Sequence, residues 1–202
     1  NMDMKPYPCC RSAHCAIDGM LEIREQMEAR LGLKIRNMSE AEILAEQIQA
    51  IEIDTYLVGY KQCAVSDGCL HPKTVLDAKF STPYSAAAAF LYGTVGMEQF
   101  EPEVVFDPAV QNLLERVTVR PAERFTGQYP KHWGCHVKVT MQDGTVYESE
   151  VEDPSGSVAR PLSREQAMKK AEEFLSVVCP GREQKTIEEL LNLESREQLP
   201  II

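Results

Sequence analysis

Cys135-His136-Val137-Lys138-Val139-Thr140-Met141-Gln142-Asp143-Gly144-Thr145-Val146-Tyr147-Glu148-Ser149-Glu150-Val151-Glu152 is the stretch that decides the fold. Asp143-Gly144 separates two runs of alternating apolar and polar residues, and that dipeptide favours the tight turn of a hairpin. Val137, Val139 and Met141 share one face of the first run. Glu148, Glu150 and Glu152 share the solvent face of the return, because side chains alternate along a strand. An antiparallel pair is expected here.

Working outward, Ile51, Ile53 and Thr55 alternate with Glu52 and Asp54, which predicts another half-buried strand. Val117 to Arg120 reads as the start of a short one. Helical spacing dominates elsewhere. Apolar residues from Ala13 through Ala16, Ile17, Met20, Leu21 and Met27 to Leu31 mark a helix opened by Ser12 and closed by Gly32. Ser39 with Glu42 reads as a capping box for a helix running to about Gln47. Ser81-Thr82-Pro83 opens an alanine-rich helix ending at Gly93, and Asp107-Pro108 opens another. Ser163 with Gln166 caps a helix through about Val178, and a last one spans Thr186 to Leu193. Residues 59–79, with Gly59, Gly68 and Pro72, show no period and read as an irregular loop. The expectation is an α+β fold: a mostly antiparallel sheet with packed helices, followed by C-terminal helices. It divides into an α+β part over 1–162 and a helical segment over 163–202.

The chain has 202 residues, 44% of them hydrophobic, and a formal charge of −10. That charge argues against nucleic acid, which needs clustered Lys and Arg. No apolar run reaches the roughly 18 residues of a membrane span, and no secretory leader is evident. Seven cysteines, scattered at 9, 10, 15, 63, 69, 135 and 179, read as reduced thiols of a cytoplasmic protein.

Two segments could carry chemistry. In Lys5-Pro6-Tyr7-Pro8-Cys9-Cys10-Arg11-Ser12-Ala13-His14, basic groups gather at a helix N-terminus, whose free N–H groups favour anions. The run reads equally as a carboxylate or phosphate site with titratable groups, or as a solvated cap. In Lys79-Phe80-Ser81-Thr82-Pro83-Tyr84 a lysine and a tyrosine flank a second helix start. Tyrosine transfers protons when a cation steadies its phenolate, although a capped core helix is the commoner meaning. His132, Cys135 and His136 lack the spacing of a zinc signature, and an extended chain would aim Cys135 away from the two histidines. No metal site is expected, and the glycines form no nucleotide-binding fingerprint.

Taken in order, several segments resemble the MmgE/PrpD family. They are Lys5-Pro6-Tyr7-Pro8-Cys9-Cys10-Arg11 with His14, Ala78-Lys79-Phe80-Ser81-Thr82-Pro83-Tyr84, Gln99-Phe100, Asp107-Pro108, Asp143-Gly144, Asp153-Pro154-Ser155-Gly156 and Pro161-Leu162-Ser163. The family includes 2-methylcitrate dehydratase, cis-aconitate decarboxylase and iminodisuccinate epimerase. The resemblance implies lyase or isomerase chemistry without a cofactor: a proton is exchanged next to a carboxylate of a small di- or tricarboxylic acid, with dehydration, decarboxylation or epimerisation to follow. It implies that Lys5 binds carboxylate or exchanges the proton, that His14 and Arg11 orient the acid, and that Tyr84, supported by Ser81, is a second proton-transfer or binding group. Cys10 and Lys79 join the substrate-binding set. Some relatives carry histidine where Cys10 stands.

Family members are about twice this length and begin with a large helical domain, so the chain corresponds to their later, lid-like portion. That makes it half a catalytic apparatus, incomplete alone. Its expected partners are the carboxylate substrate, an N-terminal helical domain or subunit, and further copies of itself. The last helices would pack on the helical domain, leaving Ile187, Leu190 and Leu191 without cover in this chain alone. The alternative is a binding or assembly module that kept the fold and lost the chemistry.

Overall fold

The computed structural model describes residues 2–195. The chain forms two compact units, residues 7–155 and residues 1–6 with 156–202.

The larger unit opens with a single 3₁₀ turn, Arg11–Ala13, running into helix α1, His14–Leu31. Gly32 ends α1 in the left-handed conformation, φ 65°, as its position predicts. Helix α2, Met38–Glu46, leads into strand β1, Ile48–Thr55. The α2 cap is Asn37, whose side chain accepts the Glu40 N–H, while the Glu40 carboxylate accepts the Arg36 N–H. The Ser39–Glu42 box is corrected accordingly: the helix starts ahead of Ser39, so both residues lie inside it.

The expected loop at 59–79 is also corrected. It folds into three short helices, α3 Leu57–Cys63, α4 Asp67–Leu70 and α5 Val75–Lys79. Ser66 and Thr74 cap the second and third by accepting the N–H groups of Cys69 and Asp77. Helices of one or two turns are fixed by such local caps and show no apolar period.

Helix α6, Thr82–Tyr92, carries Ala86 to Ala89, all without exposure, and ends at Gly93, φ 67°. Helices α7, Pro102–Val105, and α8, Pro108–Leu114, follow, with Asp107 capping α8. Strand β2, Val117–Pro121, helix α9, Glu123–Thr126, and the hairpin β3, Cys135–Met141, with β4, Val146–Val151, complete the unit.

The sheet order is β2-β1-β3-β4. β1–β3 and β3–β4 pair antiparallel, with Val139 opposite Tyr147 in the predicted hairpin. β1 and β2 run parallel, Ile51 beside Val117 and Ile53 beside Val119, so the sheet is mixed. The chain between them is long enough, with six helices, to return β2 in the direction of β1.

One face of the sheet is the core: Ile51, Ile53, Val137 and Val139 are unexposed. α1 packs on this face against β3 and β4, with α6 beside it. The approach is close at Gly19, where an added Cβ would sit 2.8 Å from Val137 Cγ2. The opposite face is charged, as the strand pattern predicts. Lys138 pairs with Glu52 at 3.2 Å and Arg124 with Glu150 at 2.7 Å.

In the smaller unit, Met4 N–H donates to the Gly156 carbonyl at 2.8 Å. An added Cβ at Gly156, φ 75°, would lie 1.9 Å from the Met4 oxygen, so only glycine fits there. Helix α10, Arg164–Val178, has the predicted Ser163–Gln166 capping box, and α11 spans Glu183–Leu191. Leu190 and Leu191 are exposed as expected, but Ile187 is buried. Ile187 is corrected from uncovered to covered: it sits with Cys179 and Thr186 among the buried residues of the α10–α11 pair.

Candidate active site

The start of α1 is built from three short-range constraints. The chain bends over residues 6–9, Cys10 is extended at φ −60° and ψ 133°, and the Arg11–Ala13 turn then delivers His14 as the first residue of α1. His14 is fully buried. Its ring meets the edge of Tyr7 at 5.1 Å between centroids. Its Nδ1 lies 3.3 Å from an Arg11 guanidinium nitrogen. A guanidinium can only donate, so Nδ1 is the acceptor and the neutral imidazole carries its proton on Nε2.

Arg11 also donates to the Ser155 carbonyl at 3.0 Å. The Ser155 N–H donates to Asp18 Oδ2 at 2.7 Å, and the Tyr7 hydroxyl donates to Asp18 Oδ1 at 2.5 Å. A closed circuit results: Arg11 to Ser155, Ser155 to Asp18, Asp18 to Tyr7, and Tyr7 back onto His14. Its charged members strengthen it, because hydrogen bonds to a carboxylate or from a guanidinium are stronger than neutral ones.

Ser12 is not the helix cap that its position suggests. Its hydroxyl donates to Gln62 Oε1 and accepts from Tyr56, both at 2.8 Å, which ties the turn to α3. The cap reading fails because α1 starts two residues later and Ser12 lies inside the turn.

The second motif meets the first through the backbone. The Cys10 N–H donates to the Lys79 carbonyl at 2.8 Å. Lys79 is half-buried, with its ammonium 5.7 Å from the Phe100 ring centre. Ser81 is fully buried and caps α6 by accepting the Tyr84 N–H at 3.0 Å, while its own hydroxyl donates to the Cys69 carbonyl. Tyr84 is unexposed in the core, and its hydroxyl donates to the Gln99 carbonyl. Burial pushes its phenol well above the ordinary range, so it stays protonated at neutral pH. The Cys63 thiol is pushed up by its hydrogen bond with Cys10 and by burial, which keeps it a thiol rather than a nucleophilic thiolate.

Arg11, His14, Cys10, Lys79, Ser81 and Tyr84 thus all lie in the larger unit, with the Cys10–Lys79 bond joining the two motifs. Lys5 belongs to the smaller unit, where it is exposed and its carbonyl accepts from the Lys170 ammonium. Sequence reasoning missed Tyr7 and Asp18 as members of the site. A carboxylate four residues after a histidine, one turn along the same helix, was the available signal for Asp18.

Fold and circuit together define an α+β domain organised around one buried imidazole at a helix start. The chain belongs to the MmgE/PrpD C-terminal domain family, which it matches over residues 7–194. It is 29% identical over 126 residues to a cis-aconitate decarboxylase-like protein, oryM, of Aspergillus oryzae, and 24% identical over 132 residues to the cis-aconitate decarboxylase of Mus musculus. Those alignments take in 61% and 65% of this chain but 26% and 27% of the relatives. The matched segment therefore spans about a quarter of the length of each relative. Among the described residues no helix is long and apolar enough to cross a membrane.

Proposed function

We propose that this domain supplies one wall of an active site that exchanges a proton next to a carboxylate of a small di- or tricarboxylic acid. The observation that carries the reading is the Arg11–His14 contact at the start of an 18-residue helix, steadied by Ser155, Asp18 and Tyr7. A guanidinium matches the planar, bidentate geometry of a carboxylate. The helix end adds its partial positive charge at the same place.

In this reading Arg11 holds a substrate carboxylate and His14 hands over or returns the proton at Nε2. The charge that builds on the acid when its neighbouring carbon loses a proton is met by the same cationic wall. Cys10 and Lys79 shape the floor through their shared backbone bond. Tyr84, buried and donating to the Gln99 carbonyl, would reach substrate only by giving up that bond. The names of both relatives, cis-aconitate decarboxylase, support a tricarboxylate with a carbon–carbon double bond beside its carboxylates. The scheme uses no cofactor, and it would be that of a lyase or an isomerase according to the group lost or the centre inverted.

The other wall would come from an N-terminal helical domain. Phe174, Val177 and Val178 of α10 and Leu190 and Leu191 of α11 are exposed, an apolar surface that supports packing of these helices on such a partner.

Calorimetric titration of the assembled protein with unreactive acids tests the reading. Tricarboxylates and dicarboxylates are expected to bind, and Arg11→Ala to weaken them by about 10- to 100-fold, the worth of one charged hydrogen-bonding partner. Equal affinity for monocarboxylates, or no effect of Arg11→Ala, would overturn it.

A further inference from the structure

We propose that His132, Glu152 and Asp153 form a binding site for a divalent transition-metal ion. The site uses none of the residues assigned above. His132 Nδ1 lies 2.8 Å from Asp153 Oδ2 and 3.8 Å from Glu152 Oε1, and one donor atom from each residue falls within 4.8 Å of the others. An ion bonded at about 2.1 Å holds neighbouring ligands about 3.0–3.4 Å apart, in octahedral or tetrahedral geometry respectively. The two histidine–carboxylate separations lie on either side of that range.

Charge points the same way. Two carboxylates from adjacent residues converge on one imidazole. A divalent ion balances both. One nitrogen and two oxygens form a borderline donor set that suits manganese, cobalt, nickel or zinc better than calcium, which takes six or more oxygens.

The site is held ready by the fold. The His132 N–H donates to the Gln128 carbonyl at 3.1 Å. Its neighbour Trp133 packs on Tyr56 and Tyr129, which stack on one another at 4.7 Å. Glu152 and Asp153 follow directly on β4, whose last residue, Val151, pairs with Cys135. Gly134 lets the two segments close: a Cβ there would sit 3.0 Å from the Val151 oxygen and 3.1 Å from the Glu152 oxygen. His132 and Asp153 side chains are 23% and 13% exposed, while Glu152 is 67% exposed. Two ligands are thus walled in, and the third stands on the solvent side, where water completes the coordination.

His132 turns to these acids rather than toward Cys135, and His136 Nε2 instead faces Glu148 at 3.7 Å. The ion would pin the segment after β4 two residues ahead of Ser155, the partner of Arg11 and Asp18.

Manganese is the suitable probe, because the seven cysteines compete for softer ions. After chelator treatment, titration of the full chain followed by electron paramagnetic resonance is expected to show one bound Mn²⁺ per chain at submillimolar free ion. Glu152→Gln, a change at an exposed side chain, is expected to weaken binding about tenfold or more, and His132→Asn to do the same. Mn²⁺ should also raise the unfolding temperature of the unsubstituted chain, but raise that of Glu152→Gln less. His71→Ala, at the separate exposed His71–Glu115 pair, should leave affinity unchanged. Absence of bound Mn²⁺, or binding unaltered in both Glu152→Gln and His132→Asn, would overturn the assignment.

Discussion

Glutamine in place of His14 is expected to lower proton exchange by about 10²- to 10⁴-fold in the assembled protein, the usual share of a positioned acid or base. Glutamine is the informative choice because its carbonyl can accept from Arg11 where Nδ1 does now, 3.3 Å from the guanidinium, while its amide cannot titrate. The contact with Arg11 survives and the titratable group is lost. Binding of unreactive acids should therefore stay within a few-fold, while kcat falls. Such a split separates proton transfer from carboxylate binding, because a lost binding group would raise KM as well. Equal loss in both would make His14 a scaffold for Arg11.

The largest effect on stability is expected at Arg24, on the buried side of α1. Its guanidinium donates to the Phe90 carbonyl, to the Leu91 carbonyl at 3.1 Å and to the Ile35 carbonyl at 3.0 Å. Glu28, one turn on, faces it at 3.9 Å and accepts from the Ile35 N–H at 3.0 Å. The side chain thus closes the end of α6 and secures the chain that leaves α1. Burial lowers the Arg24 pKa, and the Glu28 carboxylate opposes that shift. Arg24→Met keeps length and apolar contact but strands three carbonyls and removes the partner of a carboxylate. The expected cost is about 3–5 kcal/mol, the range for breaking a buried charged network from one side. Urea unfolding measures it, and Arg24→Lys should recover part, since one ammonium cannot match a fork that serves three acceptors. A loss under about 1 kcal/mol for Arg24→Met, the worth of one ordinary hydrogen bond, would show that water replaces the guanidinium.

Arg24 also shows where the sequence could be read further than its apolar pattern. Met20, Met27 and Leu31 set a helical stripe, and Arg24 falls on it, four residues past Met20. A cation on a core stripe signals a buried partner set, and here that set is the backbone of α6. The stripe itself overreaches at Leu31, which is half exposed in the last turn of α1.

What was legible depended on range. The hairpin, the Gly32 and Gly93 helix ends and the Ser163–Gln166 box each rest on residues within a turn of one another, and each is present. The parallel β1–β2 pair is not local. Ile51 and Val117 are brought together by six helices, and no pattern inside either strand states the direction. The same holds for the candidate site. Arg11 and His14 are three residues apart and could be paired on sight. The Cys10–Lys79 bond and the path through Asp18 and Ser155 span tens to more than a hundred residues, so the sequence supplied their chemistry without their arrangement.

Solvent deuterium entering an unsaturated tricarboxylic acid, followed by NMR in the assembled protein, tests the central claim most directly. The account predicts that deuterium appears at the carbon next to a carboxylate, with no added metal or organic cofactor, and that His14→Gln stops it. Product formed with no deuterium at that carbon, or incorporation undiminished by His14→Gln, would contradict it.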